Sequence, residues 1–247
     1  MKPLQVIVRS KHFSGRPILR NIAFDIRAGE VACVLAPSGA GKTTLLHIVA
    51  GLDSAFEGSV PGASLARGMV FQEPRLMPWL TLRGNLRLAC RNATQLARIE
   101  HWMALANLTR AAENYPYALS TGMQRRAAIA RAMIARPELL LLDEAFASLD
   151  EPMANTMRGA VLDAAKQSNA TVLMATHDLR EALACADRVL FLSESPARVL
   201  LDISPALNAR GDTANPEVRK YCDTLQREYP RLLEGVLDDA VCEQQAT

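Results

Sequence analysis

Polar and apolar residues alternate through Asn21-Ile-Ala-Phe-Asp-Ile-Arg27, the period of a half-buried antiparallel strand. Residues 4–9 and 18–27 are therefore read as strands. Later apolar stretches are short and continuous, at residues 30–35, 69–72, 139–143, 171–175 and 188–192, with 199–203 as one more candidate. The run from Leu139 is apolar until Asp143, as expected of a strand buried on both faces. Helical patterns fall between the strands. Residues 42–51 end on a glycine. Residues 81 to about 112 have few β-branched runs. A helix capped by Ser120 or Thr121 runs to about Ala135 and stops before Arg136-Pro137. Another opens at Glu151-Pro152, with proline tolerated in its first turn. Residues 179–186 form a further helix, and residues 215–237 a terminal one interrupted at Pro230. Apolar strands alternating with helices predict an α/β fold with a mostly parallel core sheet covered on both sides. The antiparallel start adds a β-layer beside it.

The chain's 247 residues suffice for one α/β domain with a sizeable core, or for such a domain with a small subdomain. Pro74 and Pro78 separate the first strands from the helical stretch that follows, the best candidate for a helical subdomain. Composition is ordinary for a globular protein, 49% apolar and 22% charged. The net charge of +2 gives no electrostatic case for nucleic acid as a ligand. Cys33, Cys90, Cys185, Cys222 and Cys242 are scattered with no Cys-x-x-Cys pair, which argues against a zinc site or a disulfide framework and for reduced thiols. No apolar run follows Lys2, so a signal peptide is not expected. No apolar stretch approaches the roughly 20 residues of a membrane span. The expectation is a soluble protein that serves any membrane process through a partner.

Ala36-Pro-Ser-Gly-Ala-Gly-Lys-Thr-Thr44 lies between a predicted strand and a predicted helix. Gly39 and Gly41 permit close backbone approach, and N–H groups at the helix start suit phosphate oxygens. Lys42 would reach the β- and γ-phosphates, and the Thr43 hydroxyl would ligate Mg²⁺. Ala36 stands where the phosphate-loop pattern has glycine. If that backbone needs positive φ, alanine there costs roughly 1–2 kcal/mol. Downstream, Asp143 ends the apolar strand and would hold Mg²⁺, and Glu144 would orient or deprotonate the attacking water. Taken alone, such a pair also reads as a plain strand-end cap. With the phosphate loop it means a nucleoside triphosphate, bound and hydrolysed.

Leu119-Ser-Thr-Gly-Met-Gln124, with the arginine- and alanine-rich helix behind it, resembles the signature sequence of ATP-binding cassette (ABC) ATPases. Gln72, Ser148-Leu-Asp150 and His177 match that family's Q-loop, D-loop and switch histidine in the same order. The resemblance covers roughly residues 4–203 and implies a P-loop NTPase fold. It implies a catalytic core of residues 1–72 and 136–203, a helical subdomain of residues 73–135, and a helical tail of residues 204–247 too short for a β-rich regulatory domain. It implies that ATP is contacted by Pro37, Ser38, Gly39, Ala40, Gly41, Lys42, Thr43, Thr44 and Asp150, with Phe13 stacked on adenine. Gln72 would ligate Mg²⁺ and water, and His177 would meet the γ-phosphate. Ser120, Thr121 and Gly122 would face the ATP of a second copy, since two such domains pair head to tail.

Thr121 stands where the family has glycine, and Ala145 where proline follows the glutamate. Every side chain that does chemistry is present: Lys42, Thr43, Gln72, Asp143, Glu144 and His177. An active ATPase is favoured over an ATP-binding regulatory subunit with little turnover. One cassette without a membrane segment implies an importer subunit at the cytoplasmic face of the inner membrane, peripheral to transmembrane permease subunits and indirectly served by a solute-binding protein. The stretch from Val70 to Thr81 is similar to the subfamily of nitrate, sulfonate and taurine importers. Trp79, just past the Q-loop, is read either as a permease contact or as subdomain packing.

Overall fold

The computed structural model describes residues 3–61 and 65–237. The signal-peptide reading at Met1 and Lys2, and the tail from residue 238 on with Cys242, lie outside the described residues. In chain order the strands are β1 (Leu4–Phe13), β2 (Arg16–Ile26), β3 (Val31–Leu35), β4 (Glu57–Ser59), β5 (Arg67–Val70), β6 (Leu139–Asp143), β7 (Thr171–Thr176), β8 (Arg188–Leu192) and β9 (Val199–Ile203). The helices are α1 (Lys42–Ala50), α2 (Leu82–Arg87), α3 (Ala93–Leu105), α4 (Thr121–Ile134), α5 (Glu151–Ser168), α6 (Leu179–Cys185) and α7 (Pro216–Glu228). Among the described residues they form two compact units, 3–61 with 173–237, and 65–172.

In the first unit, β1 and β2 form the antiparallel hairpin expected from their alternation, with Leu4 opposite Ile26 and Val8 opposite Ile22. Leu4, Val6 and Val8 face inward with Ile22, Phe24 and Ile26. The hairpin turns at Ser14 and Gly15, both at positive φ, the two-residue geometry that matches strand twist. β4 adds to β1 on its other side, although Glu57-Gly58-Ser59 is exposed and carries no apolar signal. Gly58 fits because a Cβ there would stand 2.0 Å from the Ile7 carbonyl oxygen. β3 pairs parallel with β8, and β9 antiparallel with β8. Arg188 ties three strands: its guanidinium donates to both carboxylate oxygens of Asp202 and, at 2.8 Å, to the Asp25 carbonyl. Val218, Cys222 and Leu225 form the buried stripe of α7.

Lys11 is a charge on the buried face of β1, 4% exposed. Its ammonium donates to Asp53 Oδ1 and to the Ala55 carbonyl, each at 2.8 Å. That hydrogen bond, aided by the Ala55 N–H, holds the Asp53 carboxyl below its usual range. A depressed folded pKa stabilises the fold above the unfolded carboxyl value near 3.9, and the contribution is lost as pH falls through the folded value. Asp53→Asn is expected to cost about 1–3 kcal/mol at pH 7 and to flatten the acid-side loss. Melting temperatures of the two proteins at pH 7 and below pH 4 check this.

In the second unit, β5 pairs parallel with β6, from Arg67 opposite Leu139 to Val70 opposite Leu142. All five residues of β6 are buried, as its unbroken apolar run requires. The helical stretch expected over residues 81–112 is two helices. α2 is capped by Thr81, and α3 starts afresh where Asn92 accepts from the Gln95 N–H at 2.9 Å. Among the described residues, Trp102 of α3 is the largest fully buried side chain. Asn85, wholly buried, accepts from the Met77 N–H and donates to the carbonyls of Met77, Leu80 and Thr81. It thereby shapes the loop that holds Trp79 outward.

Candidate functional site

Each unit carries part of the predicted chemistry, placed where a strand ends and a helix begins. In the first unit β3 ends at Leu35, and residues 36–41 turn into α1. Gly39 and Gly41 have φ of 80° and 102°. A Cβ on Gly41 would stand 2.9 Å from Ile18 Cγ2 and Leu19 Cδ2, so conformation and space both require glycine there. The first intrahelical bond of α1 runs from the Leu45 N–H to Gly41 O at 2.9 Å. The N–H groups before it point out of the helix N-terminus, where the helix dipole favours an anion. Lys42 folds back over the loop, 6% exposed, and its ammonium donates to Ala36 O at 2.9 Å and Pro37 O at 3.1 Å. Ala40 is buried, Ser38 and Gly39 are exposed, and Pro37, Thr43 and Thr44 are half-buried. The loop thus presents donors and one cation, and suits a chain of phosphates.

Ala36 is not among the residues at positive φ, so the cost attached to alanine at this position does not arise. The same holds for Thr121 in the first turn of α4 and for Ala145. Ala36→Gly is expected to leave turnover unchanged and to lower stability by about 0.5–1 kcal/mol, through added freedom in the unfolded chain. A thermal melt beside an ATPase assay checks it, and a strong rise in activity would contradict it.

Phe13 closes β1 with its ring 71% exposed, an apolar face available to a flat ligand ring. β7 ends at Thr176, and exposed His177 follows. The backbone beyond it is fixed by Asp178, whose N–H donates to Thr176 Oγ1 at 3.1 Å and whose carboxylate accepts from the Arg180 N–H at 2.8 Å, capping α6.

In the second unit β6 delivers Asp143, 1% exposed, with half-buried Glu144 next. Glu144 has φ 44°, a left-handed conformation that costs a non-glycine residue roughly 1–2 kcal/mol. The strain therefore sits at the acid itself and not at the three unusual small or branched residues. The loop continues with Ala147 N–H to Glu144 O and Leu149 N–H to Phe146 O. Asp150 then caps α5 by accepting from the Met153 N–H at 3.1 Å. Gln72 is exposed and lies two residues beyond β5, outside the strand expected to include it, because pairing with β6 ends at Val70. Ser120 caps α4, its hydroxyl accepting from the Met123 N–H at 3.3 Å, and Thr121 and Gly122 form the first turn. Gln124 donates to the carbonyls of Pro116 and Leu119, fixing the approach to that turn.

Sequence reasoning passed over two arginines of α4. Arg125, buried at 6% exposure, donates to Phe71 O at 2.8 Å and Ser148 Oγ at 3.3 Å. Arg131 donates to Arg75 O at 2.9 Å and Pro74 O at 3.1 Å. Their only sequence signal was charge on the apolar face of a helix.

A glycine-rich loop closing on a helix N-terminus under its own lysine, together with an acidic pair at the end of a buried parallel strand, defines a nucleoside triphosphatase. The ABC transporter family model matches residues 19–147, and the chain belongs to that family, as one of its ATP-binding, ATP-hydrolysing subunits. It is 37% identical over 240 residues to an aliphatic sulfonates import ATP-binding protein of Burkholderia cenocepacia, covering 92% of this chain and 89% of that one. A Bacillus cereus protein of the same description is 34% identical over 244 residues, covering 92% and 97%. Among solved structures, a dimeric ATP-binding cassette in a post-hydrolysis state with ADP and Pi matches with a TM-score of 0.74 and 26% identity, over 84% of this chain and all of that one. Among the described residues no helix is long and apolar enough to cross a membrane.

Proposed function

We propose that this chain powers the import of an aliphatic sulfonate, working as a pair of copies on the cytoplasmic face of the inner membrane beneath transmembrane permease subunits. The similarity to importers of that description over nine-tenths of the chain carries the reading. Taurine is itself an aliphatic sulfonate, and nitrate is the neighbouring solute outside that class. The dimeric state of the related cassette supports pairing. Trp79, 69% exposed on a loop held by Asn85, supports a permease contact over internal packing.

Within each copy, Lys42 and the N–H groups of residues 39–44 hold the β- and γ-phosphates, and Phe13 stacks on adenine. Glu144 takes the proton of the attacking water and His177 steadies the γ-phosphate. Asp150 contacts ATP, and Ser120, Thr121 and Gly122 serve the ATP of the partner copy, where Ser120 and Gly122 open a helix whose dipole favours a terminal phosphate. The donor set suits Mg²⁺: a Thr43 hydroxyl, the Gln72 amide and the buried Asp143 carboxylate are hard oxygen ligands of the kind that ion takes beside phosphates. Among the described residues no cluster of three or more His, Cys, Asp or Glu offers an alternative metal site. The ion, when bound, neutralises charge that builds on the phosphates.

Uptake of labelled ethanesulfonate, taurine and nitrate by cells carrying Glu144→Gln in their own copy of the chain tests the reading. Ethanesulfonate uptake is expected to be lost. Its survival alongside loss of taurine uptake would narrow the sulfonate to taurine, and its survival alongside loss of nitrate uptake would move the solute out of the class.

A further inference from the structure

We infer that Arg125 is the positioning residue that locks the Q-loop and the D-loop to the signature helix, so that Gln72, Asp150 and the Ser120–Gly122 turn are set by one side chain. The inference rests on the ATPase reading above and concerns a residue with no part in binding ATP.

A buried guanidinium is expensive unless its donors are satisfied. The buried residues that follow Arg125 on α4 are apolar: Ala127, Ala128, Ile129 and Ala130. Among the described residues Arg125 forms no ion pair. Burial pushes its pKa down, and the fields of Asp143 and Glu144 oppose that shift. The acidic pair thus helps to keep the cation where it is. Its hydrogen bonds go to two loops and to no helix. Nη1–H donates to the carbonyl of Phe71, the residue before Gln72, and Nε–H to the hydroxyl of Ser148, two residues before Asp150.

Two further contacts make the arrangement more than a pair of bonds. The first turn of α4 rests directly on the D-loop: a Cβ on Gly122 would stand 3.5 Å from Ser148 O and 3.8 Å from Leu149 Cδ2. Farther along the helix, Arg131 holds the carbonyls of Pro74 and Arg75. Residues 71–75 are therefore gripped on both sides of Gln72 by arginines of α4. A displacement of the Q-loop has to move α4, and with it the Ser120 cap and Ser148.

Arg125 acts through Phe71 and Ser148 and touches no nucleotide itself, so its loss is expected far more in turnover than in nucleotide affinity. Misplacing catalytic groups by about 1 Å can cost up to about 100-fold. Arg125→Met is expected to lower kcat for ATP hydrolysis at least about tenfold while KM for ATP stays within about threefold. Ser148→Ala is expected to lower kcat about threefold, and to add little in the Arg125→Met background, because both changes break one link. Arg125→Lys keeps the charge but not the fork, and is expected to fall between wild type and Arg125→Met. Circular dichroism and melting curves identify variants that fail to fold. If Arg125→Met is one, Arg125→Lys and exposed Ser148→Ala decide. Unchanged kcat in both, or effects of Arg125 and Ser148 that multiply independently, would overturn the inference. Glu144→Gln run beside them separates the two readings: its loss of turnover upholds the ATPase whatever Arg125 does, and its retention would remove the reading on which Arg125 depends.

Discussion

Glu144→Gln is expected to lower ATP turnover by roughly 10²–10⁴-fold while ATP still binds. The glutamate follows the buried end of β6 and is itself half-buried, held at φ 44° by the turns at Ala147 and Leu149. A residue kept in a costly conformation by its surroundings is placed for a purpose its own stability does not explain. Glutamine is nearly isosteric and keeps that backbone, so the variant removes the carboxylate's charge and little else. Phosphate release with nucleotide titration on the same sample checks both halves. Loss of binding together with turnover would mean that Glu144 shapes the site and does not act on water.

Lys42→Ala is expected to fail one step earlier, losing most ATP affinity as well as turnover. Its ammonium already rests on the carbonyls of Ala36 and Pro37, so the cation is preorganised against the loop before nucleotide arrives. Donors fixed in this way contribute about 10²–10³-fold each when they meet developing charge. Truncation also leaves the buried Ala36 carbonyl short of a donor, costing about 1–3 kcal/mol of stability. Lys42→Arg is expected to recover little, since a planar fork does not reproduce a compact ammonium above two carbonyls. Nucleotide affinity by fluorescence titration, set beside a melting curve, separates the two effects.

Much of this architecture is written in local pattern. β6 and β8 fall where their apolar runs predict, because nearly every side chain in them is buried; β9 also falls on its expected range, although only Leu201 in it is buried. Ser120 was one of two candidate caps and is the one that makes the bond. β4 left no such trace: Glu57-Gly58-Ser59 becomes a strand only because β1 offers an edge and Gly58 fits against Ile7. The break between α2 and α3 had a signal in Asn92 and Gln95, an N-cap spacing inside an otherwise helical stretch. In the candidate site, the residue types needed for phosphate chemistry are visible in order along the chain. The backbone is not. Concern about alanine at position 36 assumed a φ that Ala36 does not adopt, while the strained residue, Glu144, looked ordinary. Arg125 was hidden for a different reason. Its partners lie 54 and 23 residues away, and one of them is a main-chain carbonyl that carries no sequence identity.

The central claim is that two copies of this chain close on ATP and hydrolyse it at Glu144. Mg²⁺-dependent phosphate release by the purified chain, measured over a wide range of protein concentration beside Glu144→Gln, tests it most directly. The account predicts specific activity that rises with concentration and is lost in the variant. Activity equal to that of Glu144→Gln at every concentration would contradict it.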